Sequence, residues 1–238
     1  MVTVSTPRPS FARDRWFFSG MAVALAAFAF YGFSGTFYLR PADFAGPPLT
    51  TLVFVHGAMM TLWVLGTVLQ TSLVAVRRTA LHRTLGWGMA ALAAAIIISG
   101  PMVGIAAIKR GAVPPDMPPQ LLLMLPMAGV TMFAGFVAAG ILLRNREQAH
   151  KRLMLLSTIA TLDAAAARIP GVLDGGPLLL FGLPDLFILV GIGYDLATRR
   201  SVHPTWIIGG LLIVISQPLR LALAFTPLWS SFIEAVTR

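Results

Sequence analysis

Seven stretches of this chain are apolar for long enough to cross a lipid bilayer as α-helices, and little else in the sequence constrains the fold as tightly. A helix rises about 1.5 Å per residue, so the roughly 30 Å of bilayer hydrocarbon requires about 20 apolar residues. Runs of that kind fall at 16–38, 52–76, 84–108, 120–143, 152–169, 177–197 and 205–226. Within hydrocarbon every backbone N–H and C=O needs an internal partner, which regular helices supply. The expected fold is all-α: a polytopic membrane helical bundle of about seven transmembrane helices, with residues 1–238 as a single transmembrane domain. The fifth and sixth runs are the least apolar, because they carry Asp163, Arg168, Pro184 and Asp185. The first run follows Arg8, Arg13 and Arg15. It is longer than the roughly 7–15 residues of a signal-peptide core and reads as a retained helix.

Composition agrees with a membrane solvent. Apolar types make up 57% of the residues and charged types 11%, against about 25% in ordinary soluble domains. The 238-residue chain has no cysteine, which excludes disulfides, thiolate metal sites, iron–sulfur ligation and covalent haem attachment. The net charge of +9 is not a nucleic-acid signature, because the cations sit in short clusters between apolar runs and form no continuous face.

Those clusters set the expected topology. With the N-terminus in the cytoplasm, one side collects twelve Lys and Arg: Arg8, Arg13, Arg15, Arg77, Arg78, Arg83, Arg144, Arg146, Lys151, Arg152, Arg199 and Arg200. The other side has six: Arg40, Lys109, Arg110, Arg168, Arg220 and Arg238. The positive-inside rule places the richer side in the cytoplasm. The outer connections are instead rich in Pro and Gly: Gly46-Pro47-Pro48, the stretch from Val113 through Pro114, Pro115 and Asp116 to Pro119, and Pro170 through Pro177. Such backbones resist helix continuation.

The inner turns share a pattern. Arg78 to His82, Arg146 to His150 and Arg199 to His203 each read Arg-x-x-x-His, which places three of the four histidines at equivalent points. The pattern suggests three parallel helical hairpins plus a lead helix. His82, His150 and His203 would then begin outward-running helices at one interface. Three chemistries suit them. His82 and His150 could hold haem b between two imidazoles, with Arg83, Lys151 and Arg152 as nearby cations. Together with His203 they could bind a transition metal such as Zn²⁺. All three could also simply anchor helix ends at headgroup level.

A second set lies within the membrane. His56, Met60, Trp63, Thr67 and Gln70 recur at helical spacing, so the second helix carries one polar stripe that must avoid lipid. It either packs through interhelical hydrogen bonds or lines a cavity. Asp163, Arg168, Asp185, Gln217 and Arg220 place charge and amide in the outer half of the last three helices. Asp163 and Arg168 are five residues apart, about 140° around a helix, and should not pair with each other. Asp185 with Arg168 or Arg220 is the expected pairing. No lysine lies mid-membrane in the last helix, which excludes a retinal Schiff base there.

Five stretches carry a resemblance: VHGAMMTLWVLGTVLQ from Val55, ALHRTLGWG from Ala80, HKRLMLLSTIA from His150, PDLFILVGIGYDL from Pro184 and SQPLRLALA from Ser216. They resemble a bacterial family of multi-spanning inner-membrane proteins of about seven helices, to which no activity is attached. That resemblance implies the fold and the membrane. The segment beginning His56-Gly57 is also similar to the His-Gly-x-x-Met segments of ascorbate-dependent transmembrane cytochromes b, in which paired histidines hold two haems. Here the fourth run has no histidine, so His56 lacks a partner and the similarity implies at most one haem, on His82 and His150.

Three functions follow as expectations. The chain could be a haem-b-binding or redox-linked membrane subunit. It could be a transporter or ligand-binding protein whose outward-facing pocket is lined by His56, Trp63, Gln70, Asp163, Arg168, Asp185, Gln217 and Arg220, and which accepts a small polar or anionic ligand. It could be an accessory subunit packed against other membrane subunits. Each has the lipid bilayer as partner and none involves nucleic acid.

Overall fold

The computed structural model describes residues 11–44, 46–112 and 117–238, with the side chains of Phe11 and Ala12 left aside. Arg8 and the loop residues Val113, Pro114, Pro115 and Asp116 lie outside the described residues. The described chain is all helical: α1 (Phe11–Phe33), continued by a π turn (Ser34–Tyr38), α2 (Thr51–Ala75), α3 (Thr79–Lys109), α4 (Pro119–Leu142), α5 (Glu147–Ile159), α6 (Asp163–Ala166), α7 (Gly176–Arg199), α8 (Pro204–Ala224) and α9 (Pro227–Thr237).

Local chemistry sets the ends. Thr50 Oγ1 accepts from the Val53 N–H (3.4 Å) and caps α2, and Thr226 does the same for the Trp229 N–H (3.4 Å) ahead of α9. Proline opens α4, α8 and α9, at a position where its missing N–H costs nothing. Two of the basic turns use an arginine in the left-handed region, Arg77 (φ 64°) and Arg200 (φ 56°). That conformation is unfavourable for a residue with a Cβ, but a cation at a helix C-terminus is favoured by the helix dipole.

Six helices are long and apolar enough to cross a membrane: α1 with its π turn, α2, α3, α4, α7 and α8. Their outward faces are greasy. Leu62, Leu65 and Leu69 of α2, Leu186, Leu189 and Val190 of α7, and Ile208, Leu211 and Ile215 of α8 are all exposed. Most of the buried charge instead faces inward, the arrangement expected when lipid replaces water as solvent. The chain is therefore a multi-pass membrane protein.

The fifth expected span, 152–169, takes a different form. α5 starts earlier, at Glu147, and stops at Ile159. Three residues of tighter turn follow, with Thr161 N–H bonded to Thr158 O (3.1 Å) and Leu162 N–H to Ile159 O (3.0 Å), before the single turn of α6. The element is central. Leu155, Leu156, Ser157 and Ala166 have no exposed surface, and α1, α4, α7 and α8 surround it. Its polar start is paired with α1 and α7, its apolar remainder packs on all sides against protein, and irregular backbone at membrane depth is tolerated where protein covers it. The break needs close neighbours. A Cβ on Gly32 of α1 would collide with the backbone of Ala165, and one on Gly129 of α4 would come within 3.2 Å of the Ala160 carbonyl oxygen. The pair α5–α6 runs the length of α1, from Lys151 beside Asp14 to Ala165 beside Gly32.

One end of the bundle thus gathers the basic turns and the other the proline-rich loops. Four helices have an interior proline, and all four lie near the proline-rich end: Pro101 eight residues before Lys109, Pro126 seven after Pro119, Pro184 eight after Gly176, and Pro218 six before Ala224. Each removes an internal hydrogen bond and weakens its helix at about one level. The amphipathic α9, which the apolar runs do not foretell, packs at the same end, where Trp229 Nε1 donates to the Gln120 carbonyl (3.0 Å).

Candidate functional site

Three polar centres lie along the bundle. The first, at the basic end, is a network in which Asp14 of α1 is the hub. It accepts from Lys151 Nζ (2.5 Å), Arg199 Nη2 (2.5 Å) and the Tyr194 hydroxyl (2.9 Å). Phe17 stacks on Tyr194 with ring centres 3.6 Å apart, and Lys151 Nζ lies 4.2 Å from the Phe18 ring. Beside it, Arg152 and Asp195 form an ion pair from which solvent is wholly excluded. Arg152 also donates to the carbonyl (2.8 Å) and Oε1 (3.0 Å) of Gln148, and Asp195 Oδ2 accepts from the His203 N–H (3.0 Å). Lys151 and Arg152, expected beside a haem, therefore have carboxylate partners instead. Asp14 and Asp195 were not foreseen as site residues. The available signals were an acid flanked by Arg13 and Arg15, and an acid four residues before Arg199.

The second centre is the histidine pair. His82 of α3 and His150 of α5 are brought together with ring centres 6.1 Å apart and planes at 82°. His150 Nδ1 lies 2.8 Å from the Gly140 carbonyl, to which it donates, leaving Nε2 as an acceptor. Gln70 reaches His82 from α2. Its amide nitrogen donates to the His82 carbonyl (3.1 Å) and to His82 Nδ1 (2.5 Å), and its oxygen accepts from the Gly86 N–H (3.2 Å).

Haem b can be tested against these positions. Two imidazoles facing each other across one haem iron, each nitrogen about 2 Å away and about 1.2 Å from its ring centre, have ring centres roughly 6 Å apart, which the pair approaches. A ring whose other nitrogen donates to a carbonyl, as in His150, is also a usual metal ligand. His82 fits less well, because an Nδ1 that accepts from Gln70 places the ring proton on Nε2. Of the three expected cations only Arg83 is left without a carboxylate among the described residues. The residues therefore fit the group in part: His150 and the ring spacing suit it, while His82 and the paired Lys151 and Arg152 do not.

His203 does not join the pair. It caps α8, with Nδ1 accepting from the Thr205 N–H (3.2 Å). Burial, and after it the positive charge of Arg152, hold its pKa below the ordinary histidine value. A three-histidine metal site is thus not formed, and the described residues contain no group of three or more metal-ligating side chains.

The polar stripe of α2 faces inward as expected, and it packs. His56 Nδ1 bonds Ser99 Oγ of α3 (2.8 Å), and Trp63 Nε1 donates to Thr158 Oγ1 of α5 (3.1 Å). Thr67 bonds the Trp63 carbonyl (2.9 Å), and Gln70 serves His82. Met60 packs against the core.

The third centre lies at the proline level. Arg220 of α8 donates from Nη1 to Asp163 Oδ2 (2.8 Å) and from Nη2 to Ser216 Oγ (3.0 Å), while Asp163 Oδ1 accepts from the Ala164 N–H (2.8 Å). Asp185 of α7 instead pairs with Gln217, whose amide nitrogen lies 3.0 Å from each carboxylate oxygen. The expected partner of Asp185 is thus corrected: Arg220 lies with Asp163, because the break after α5 turns Asp163 toward α8. Arg168 takes neither acid. It donates to the Ala164 carbonyl (2.5 Å) and lies 4.4 Å over the Phe33 ring. Its separation from Asp163 matches the helical-wheel argument. A cavity of about 10 Å³, close to the volume that admits one water, is lined by Asp163, Pro184, Asp185, Gln217 and Arg220. His56, Trp63, Gln70 and Arg168 are not among its walls, so the single eight-residue pocket expected from sequence divides into separate sites.

These centres and the lipid-facing exterior define a helical, multi-pass membrane protein with charge buried at both ends of a central broken helix. Comparison with protein-family models, with curated proteins and with solved structures gives no match.

Proposed function

We propose that this chain is a transport or ligand-binding protein of a bacterial inner membrane, working through the polar cavity at the proline level. It crosses the membrane seven times, with α5–α6 as a crossing shielded by the other six and the basic end in the cytoplasm. Support for that orientation comes from the twelve cations against six.

The observation that carries the functional reading is a coincidence of level. The break in α5–α6, the four interior prolines and the buried Asp163–Arg220 pair all lie near one depth. Interrupted helices inside a membrane are tolerated where they line a cavity, and in transporters they mark the substrate site. The same central element is tied at its basic end to α1 and α7 (Lys151–Asp14, Arg152–Asp195) and at its other end to α8 (Asp163–Arg220). Ion pairs so placed suit two gates. With two carboxylates against one guanidinium, the lining favours a proton or small cation over an anion.

The absence of cysteine makes the test clean. In oriented membrane vesicles, Gln217→Cys should react with Ag⁺, a thiol-seeking ion small enough for a cavity that admits one water, when it is added from the side of the proline-rich loops, read as loss of later maleimide labelling in denaturant. Asp174→Cys, in a connecting loop, serves as the accessible control for that side, and Arg200→Cys should react from the opposite side. Gln217→Cys that stays unreacted from both sides while the controls react would overturn the cavity reading.

A redox-linked reading, with haem b on His82 and His150, has the 6.1 Å approach of the two rings in its favour. Absorption spectra of protein produced with ample haem, oxidised and reduced, decide it. A Soret band lost in both His82→Ala and His150→Ala supports it, and no band ends it. An accessory role beside other membrane subunits would show as stoichiometric partners after mild solubilisation.

A further inference from the structure

The charges at the proline level are unevenly paired. Asp163 has Arg220. Asp185 has the Gln217 amide, and among the described residues it forms no ion pair. The cavity beside it is lined by Asp163 from α6, Arg220 and Gln217 from α8, and the apolar Ile159 and Ala160 from the end of α5, and of these Gln217 bonds Asp185 while Arg220 acts on it through its charge. Arg168, beyond α6, lies over the Phe33 ring, donates to the Ala164 carbonyl and is near enough to Asp163 to act on its charge, but it has no such interaction with Asp185. Of the two carboxyl groups, Asp185 is therefore the one with no guanidinium bonded to it among the described residues.

Depth sharpens the imbalance. Asp185 lies nine residues into α7 from Gly176, about 14 Å along the helix axis. Its neighbours Leu186 and Leu189 are 53% and 60% exposed, so this flank of α7 is turned to hydrocarbon. An ionised carboxylate without a cation is strongly disfavoured in such a place, and the group neutralises instead. Gln217 suits the neutral acid, since an amide can both donate to it and accept its O–H.

We propose that Asp185 binds a proton, and that the position of Arg220 between the two acids decides which of them carries it. When Arg220 leaves Asp163 for Asp185, the Asp185 O–H gives up its proton and Asp163 takes one. The cluster stays neutral and no charge is stranded in the membrane. This deepens the transport reading by naming the proton as what the cavity holds, and it rests on treating that cavity as a functional site. Its test involves no transport and no thiol labelling, so the two can fail separately.

The readout is the carboxylic-acid C=O stretch in infrared spectra of the full chain in lipid, identified by its shift on exchange into D₂O. Wild type should show one protonated carboxyl within the membrane at neutral pH. Asp185→Asn should abolish the band. Asp163→Asn, although it leaves Asp185 intact, should abolish it too, because the freed Arg220 then ionises Asp185. Both substitutions are nearly isosteric, and a native melting profile verifies their folding. A wild-type spectrum without the band overturns the proposal. A band that persists in Asp163→Asn overturns the role of Arg220. A band that vanishes when choline is replaced by sodium shows a metal cation as the ligand, and overturns the proton.

Discussion

Consider removing charge from the Arg152–Asp195 pair. Both side chains are fully shielded, each with 0% of its surface exposed, so neither can be rescued by water when its partner goes. Breaking such a pair by neutralising one member costs roughly 3–5 kcal/mol, while removing both charges is often close to neutral. The design must respect the third interaction, the His203 N–H that donates to Asp195 Oδ2 at 3.0 Å. Asp195→Asn keeps a carbonyl oxygen for that donor, so its cost isolates the stranded Arg152. Arg152→Met keeps side-chain volume and strands Asp195, for which Arg199, 3.5 Å away and already engaged by Asp14, offers partial relief. The single variants should therefore each lose about 3 kcal/mol or more, with Asp195→Asn the worse, and the double variant less than about 2 kcal/mol. Three kcal/mol is a shift of over 100-fold in the unfolding equilibrium, within reach of reversible denaturation in mixed micelles. If the double variant is as unstable as the sum of the singles, the pair is not energetically coupled, and the reasoning from burial is refuted.

Three further outcomes follow. Gly32→Val should destabilise by about 1–3 kcal/mol or prevent assembly, because its side chain meets the Ala165 backbone and not a movable side chain, whereas Gly20→Val, with open space around it, should melt like wild type. Thr158→Val removes the acceptor of the buried Trp63 indole and should cost about 1–3 kcal/mol with a change in tryptophan fluorescence; an unchanged melting curve would show that Trp63 is held by packing alone. The lowered pKa of His203 means that the unfolded chain binds a proton more readily than the folded one, so this contribution is fully present above about pH 6.5 and is lost as pH falls below it toward the folded pKa. His203→Asn, which keeps a good helix cap, should flatten that part of the melting-temperature profile between pH 5 and 8, and an unaltered slope would exclude His203 as its source.

Much of the fold was legible because the bilayer imposes a length rule that residue types obey locally. Six of the seven expected spans appear as apolar helices with ends shifted by a few residues, since caps and prolines mark those ends in the sequence. The fifth was mislocated for a physical reason. A helix packed entirely by other helices needs no lipid-matched length, and its polar start, Glu147 to Arg152, looks like a loop until partners are known. The sites divide in the same way. That the α2 stripe faces inward follows from spacing, and that Asp163 and Arg168 do not pair follows from the helical wheel. That Asp163 takes Arg220, that Asp185 takes Gln217, and that Lys151 and Arg152 turn to Asp14 and Asp195 depend on contacts between helices more than 30 residues apart.

The sequence by itself therefore determined the solvent, the number of apolar helices to within one, and the chemical types that must be hidden from lipid. Helix geometry and the cost of charge in hydrocarbon act on each segment separately, so both can be read segment by segment. Tertiary structure alone decided which acid meets which base, where the central helix breaks, and that His82 and His150 touch while His203 stands apart. Those outcomes depend on rotation and depth of one helix against another, which close packing of side chains sets and no single segment encodes.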